Sequence, residues 1–88
     1  MRRGKTRKIF FMPTLLIKDG FKFFFYANEH LPMHIHVEKG SGYARINLTT
    51  LVASESYFKT PELKRALEIT TEHQNNFVRK WNEFFSQR

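Results

Sequence analysis

The sequence predicts an α+β domain: a small antiparallel sheet of about four strands in a meander, with one long C-terminal helix packed on one face. Three observations carry this. Short runs of alternating apolar and polar residues, punctuated by Asp-Gly and Gly-Ser-Gly turns, occupy residues 14–48. Apolar residues at spacings of three and four then recur from residue 61 to about residue 86. Eighty-eight residues suit one domain, and ten Phe, three Tyr and Trp81 provide the bulk that so small a core requires.

The elements follow in order. TLLIK, residues 14–18, reads as the first strand and ends at Asp19-Gly20, a strong hairpin dipeptide. FKFFFY, residues 21–26, directs Phe21, Phe23 and Phe25 one way and Lys22, Phe24 and Tyr26 the other. NEHLPM, residues 28–33, is a loop carrying Pro32. MHIHVEK is a period-two strand with Met33, Ile35 and Val37 on one face and His34, His36 and Glu38 on the other. After Gly40-Ser41-Gly42, YARINL places Ala44, Ile46 and Leu48 inward and Tyr43, Arg45 and Asn47 outward. LTTLVASESYF carries no clear period and reads as a connection or short helical turn beneath the sheet. Thr60-Pro61-Glu62 looks like a helix start, with Thr as N-cap and Pro at the first helical position. The helix, about 61–86, carries Lys80 and Arg88 toward an end that favours positive charge, and weak propensity at Gln74-Asn75-Asn76 allows a bend. It should cover the face made by Phe21, Phe23, Phe25, Ile35, Val37, Ile46 and Leu48.

Composition narrows the classes of function. No cysteine is present, so a disulfide framework and a thiolate zinc site are both excluded, and a reducing cytoplasm suits the chain. No run approaches the 18 or so apolar residues of a membrane span, and Pro13 with Lys18, Asp19 and Gly20 argues against reading IFFMPTLLI as a signal peptide. The net charge is +7, yet residues 1–11 hold five of the basic residues and no acid. This segment reads as a disordered extension ahead of a domain over 12–88, Met12 being an alternative start. An arm that tracks phosphates by counterion release is the other reading.

Function must then lie on the sheet face left open, which carries Lys22, Phe24, Tyr26, Glu38, Tyr43 and Arg45 beside His34 and His36. Two histidines at i and i+2 on a strand point the same way, about 6.6 to 6.8 Å apart at Cα. Both imidazoles could reach one divalent metal, with His30 or Glu38 as a third ligand; no other cofactor is suggested. The same pair could share acid–base work at a phosphodiester, with Arg45 or Lys22 stabilising the developing charge. Stacking on Phe24, Tyr26 or Tyr43 would suit RNA binding, and the same residues suit a protein interface. The plainest alternative makes His34 and His36 polar positions on a solvated strand, or buried under a second copy. His73, alone on the helix, reads as a surface or satisfied core residue.

FKFFFYANEHLPMHIHVEKG and the ending KWNEFF together resemble the small bacterial proteins grouped as domain of unknown function 4160. Members open with Met-Pro-Thr, continue through an aromatic strand ending in Tyr-x-Asn-Asp/Glu, show Pro-Pro-His-x-His-Val-Glu, and close near Trp-Asn-Glu-Phe-Phe. Here these fall on Met12-Pro13-Thr14, Tyr26 to Glu29, Pro32 to Glu38 and Trp81 to Phe85, so the likeness covers about residues 12–86. Met33 replaces the second proline, and LTTLVASESYF matches loosely. The family has no firmly established activity. Its genes often adjoin a second small protein in arrangements similar to toxin–antitoxin pairs. The resemblance therefore implies the toxin-like member of such a pair, and it singles out Pro32, His34 and His36. Together with the open aromatic and basic face, it gives the leading expectation of a cytoplasmic module that acts by binding a small antitoxin-like partner, or itself, through that face. A histidine-dependent ribonuclease, a metal-dependent hydrolase and a non-catalytic RNA-binding module are the alternatives.

Overall fold

A computed structural model describes residues 14–85. The basic segment 1–11, Met12-Pro13 and Arg88 lie outside the described residues. Five strands form one antiparallel sheet in sequence order: β1 (Thr14–Lys18), β2 (Phe21–Phe24), β3 (His34–Lys39), β4 (Gly42–Asn47) and β5 (Ala53–Ser56). Two helices follow, α1 (Thr60–Glu72) and α2 (Gln74–Phe85).

The β1–β2 hairpin turns on Asp19 and Gly20, both at positive φ (54° and 81°), the geometry that matches the twist of tight hairpins. Lys39 pairs with Gly42 across the two-residue turn between β3 and β4. Gly42 is required there for space: a Cβ would lie 2.3 Å from the Phe58 ring, which packs edge-on against Phe21.

The meander is as expected, with one strand more. ASES carries no apolar alternation, yet it pairs with β4 as an edge strand, Arg45 opposite Glu55. The connection from β4 is a tight turn. Asn47 Oδ1 accepts the backbone N–H groups of Thr49 and Thr50, and the Asn47 N–H donates to the Val52 carbonyl.

The helical region also departs in detail. It is two helices rather than one, broken at His73, whose N–H is shared between the carbonyls of Ile69 and Thr70. The Gln74 amide donates to the Leu48 carbonyl at 2.7 Å, tying the start of α2 to the end of β4. Thr60 is not the N-cap. Lys59 occupies that position in extended conformation with no side-chain cap, since its ammonium can only donate while the orphan groups there are N–H donors. The last turn of α2 holds no basic residue.

The helices cover the predicted face. Phe21, Phe23, Phe25, Ile35, Val37, Ala44, Ile46 and Leu48 are buried against Ala66, Ile69, Phe77 and Trp81. Among the described residues, no helix is long and apolar enough to cross a membrane.

Candidate functional site

The second face of the sheet is not an open plane. Phe24, His36 and Arg45 stand side by side on β2, β3 and β4, as their register requires. The segment between β2 and β3, which contains a cis Leu31–Pro32 peptide, folds back across this row. It brings Glu29 to the two histidines. The side chains of Glu29, His34 and His36 are only 6%, 12% and 4% exposed.

Glu29 is the hub. Its Oε1 lies 2.8 Å from His34 Nε2, and its Oε2 lies 2.8 Å from His36 Nε2. Oε2 also accepts the Tyr26 backbone N–H at 2.8 Å. A buried carboxylate needs such partners, because desolvation without them costs several kcal/mol on the order of a whole domain's margin. The far nitrogens of both rings are engaged as well. His34 Nδ1 is 2.7 Å from the Pro32 carbonyl, and His36 Nδ1 is 2.6 Å from the Tyr43 hydroxyl.

These contacts assign protons. A carbonyl only accepts, so His34 Nδ1 carries hydrogen and donates to Pro32. Burial pushes the His36 pKa down, more than the attraction of Glu29 raises it, with His34 and Arg45 adding to the lowering. A neutral His36 therefore donates from Nε2 to Glu29 and accepts the Tyr43 O–H at Nδ1. Burial pushes the Tyr43 phenol up to about 12, so it stays protonated.

Aromatic rings hold the imidazoles in place. His36 lies 4.3 Å from Tyr26 and 5.5 Å from Phe24 between centroids, and His34 packs 5.2 Å from Trp81 of α2. Trp81 also meets Phe25 and Phe85, so the helix layer buttresses the site through the end of the sheet.

The cluster opens into a cleft of about 470 Å³. Of the residues singled out in the sequence, Tyr26, His30, Pro32, His34, His36, Tyr43 and Arg45 line it. Lys22, Phe24 and Glu38 do not. Phe24 is 3% exposed beneath the ring stack, which removes it as a platform for bases or a partner. Lys22 lies over the Phe24 ring instead of the cleft. The third member of the histidine cluster is neither Glu38 nor His30 but Glu29. Glu38 shares the histidines' row yet sits two positions further along β3, opposite Lys22 and Tyr43. Nor are the histidines polar positions on a solvated strand, since both are enclosed.

Glu29 escaped the residue pattern because it reaches the strand from a loop, outside any i, i+2 row. The available signal was its place five residues before His34, at the end of the Tyr-x-Asn-Glu motif.

A family model described as Domain of unknown function (DUF4160) matches residues 20–82. The chain belongs to this family. The DUF4160 match takes in Tyr26 to Glu29 and Pro32 to Glu38, hence the whole Glu29–His34–His36 cluster and Tyr43. Met12 to Thr14 and the residues 83–85 that end the Trp-Asn-Glu-Phe-Phe motif fall outside it. No curated protein and no solved structure matches the chain.

Proposed function

We propose that this DUF4160 protein is a hydrolase of phosphodiester bonds, acting on RNA as the toxin-like member of a two-protein pair in the bacterial cytoplasm. The observation that carries the reading is the convergence of His34 and His36 on the Glu29 carboxylate at the floor of a cleft. Three enclosed ionisable groups sharing one point is an arrangement that catalytic sites use and that a structural core seldom needs. Arg45 on the wall supports a phosphate-bearing substrate. Its Nε donates to Ser54 Oγ at 3.0 Å, which fixes the guanidinium, while its only acidic neighbour among the described contacts, Glu55, is 3.9 Å away. A weakly paired, oriented guanidinium suits a transferring phosphoryl group. In the reaction, the oxygen of water joins phosphorus, the P–O ester bond breaks, and a proton from that water passes to the departing alkoxide.

Induced expression of the chain in a bacterial host tests this. Growth should slow with the wild type and recover with Glu29→Gln or His34→Ala. Equal growth with all three at equal protein levels would contradict the reading.

A partner-binding role is supported by a second observation. Tyr26 and Leu31 at the cleft and Tyr57 beyond Tyr43 are exposed, Leu31 at 78% and Tyr57 at 69%. Such a rim suits a small antitoxin-like protein that caps the cleft. Co-expression with the product of the adjacent gene should yield one complex on a sizing column, weakened by Leu31→Asp. Two separate monomers would contradict it.

A further inference from the structure

We propose that Glu29, His34 and His36 hold one divalent transition-metal ion, with zinc the best fit, and leave at least one coordination position facing the cleft. The inference deepens the hydrolase reading by naming its cofactor. It rests on that reading for what the metal would do, though not for whether it binds.

The protons at His34 call for a cation beside Glu29. Nδ1 donates to the Pro32 carbonyl, so in a neutral ring Nε2 presents a lone pair. That lone pair faces a carboxylate oxygen 2.8 Å away. Two acceptors cannot rest at this distance unless a positive charge lies between them. A proton can supply it, and so can a metal ion coordinated by both.

All four ring nitrogens of His34 and His36 are engaged, two by Glu29, one by Pro32 and one by Tyr43. Without a metal, neither imidazole can present a nitrogen to substrate unless a bond to Glu29 or to an outer partner breaks. With a metal at the centre, both Nε2 atoms and the carboxylate serve the cleft together.

The outer contacts are those that metal-bound histidines use. Each ring has its far nitrogen held by a fixed oxygen, Pro32 O or Tyr43 Oη, which sets the orientation of Nε2. On coordination through Nε2, His36 carries its hydrogen on Nδ1 and donates to Tyr43, whose O–H is then released toward the cleft.

The dimensions agree. The three donor atoms lie within 4.8 Å of one another. Ligands at ordinary zinc distances in a tetrahedron are roughly 3.3 Å apart, so each 2.8 Å N···O contact, made to a different oxygen of Glu29, must open by about 0.5 Å while any donor pair near the 4.8 Å limit must close. Glu29, on a loop, can withdraw by that amount. Two imidazoles and one carboxylate favour zinc or a neighbouring first-row ion over magnesium or calcium, which prefer all-oxygen shells. Three protein ligands leave a fourth position for water, the pattern of catalytic zinc centres.

The test is calorimetric titration of the chelator-stripped full chain with ZnCl2 and, separately, MgCl2, with circular dichroism confirming that each variant is folded. One zinc per chain and no magnesium is expected. Glu29→Gln, His34→Gln and His36→Gln should each weaken zinc binding at least 100-fold. Tyr43→Phe, which keeps all three ligands, should weaken it about 10-fold or more. CoCl2 should give visible absorption bands that the His34→Gln variant lacks. Failure of the wild type to bind zinc stoichiometrically, or unchanged affinity in a folded His34→Gln/His36→Gln double variant, would overturn the proposal. RNA cleavage by the zinc-free chain in excess chelator would overturn the metal's role as the hydrolase's cofactor while leaving the hydrolase reading intact. Zinc binding without cleavage would support the site and remove the hydrolase instead.

Discussion

Glu29 ties the β2–β3 segment to the histidine pair on β3. Its two oxygens meet His34, His36 and the Tyr26 N–H, and the Glu29 and histidine side chains are shielded from water. Glu29→Ala would strand those three groups at once. In chelator, urea denaturation should show a loss of about 3–5 kcal/mol, the cost of breaking a buried ionic cluster from one side; a loss under about 1 kcal/mol, the size of a surface pair, would mean that the cluster is not formed. Asp19 is the contrasting case at the surface. The Arg65 guanidinium donates to its carboxylate at 2.6 and 2.9 Å and holds its pKa below the ordinary value. The unfolded carboxyl therefore takes up its proton at higher pH than the folded one does. The bridge's contribution is complete above the ordinary carboxylate range and is lost as pH falls through the depressed folded value. Asn tolerates the positive φ at this position, so Asp19→Asn isolates the charge. The stability gap between wild type and variant should be steady near neutral pH and close on acidification; a gap independent of pH would contradict the pairing. At this scale the sequence was only partly legible. His34 and His36 were readable because period two puts them on one face. Glu29 was not, because a loop residue's partners depend on how the loop closes, and the same strand period pointed to Glu38 instead.

Among the elements, the β-hairpins announce themselves through turn chemistry, and Gly42 shows how far that goes. Its dipeptide neighbours mark a turn, but its closest constraint is the Phe58 ring, sixteen positions later. Gly42→Ala should cost about 1–3 kcal/mol, because the ring must leave its edge-on contact with Phe21 to admit a methyl group. Thermal melts of the two proteins would check it, and an unchanged melting temperature would mean that Phe58 packs elsewhere. β5 was illegible for a physical reason. ASES buries little, and it becomes a strand by pairing with β4 after the Asn47 turn reverses the chain, a tertiary cause that local pattern does not record. The break at His73 falls one residue before the weak Gln-Asn-Asn stretch. There the Gln74 amide meets the Leu48 carbonyl, so tertiary bonding fixes the place that propensity only suggested.

As a whole, the molecule divides its labour between two faces of one sheet. The helix-covered face was readable residue by residue, since alternate apolar positions on β2, β3 and β4 could have no other destination than a core. The strand period marks the other face as open, since it does not record what the loop between β2 and β3 does. The β2–β3 segment closes over it, burying Phe24 and His36 and turning a flat binding surface into a cleft with an ionisable floor. Trp81 joins the halves, touching Phe25 on the core side and His34 in the cluster. The central claim is that this cluster breaks phosphodiester bonds. Its most direct test is cleavage of a fluorophore- and quencher-labelled RNA by the purified full chain supplied with zinc, beside Glu29→Gln and the exposed helix variant Lys64→Ala. The account predicts cleavage by the wild type and by Lys64→Ala at equal rates, and a rate at least 100-fold lower for Glu29→Gln. Absence of cleavage by the wild type, or cleavage by Glu29→Gln at the wild-type rate, would contradict it.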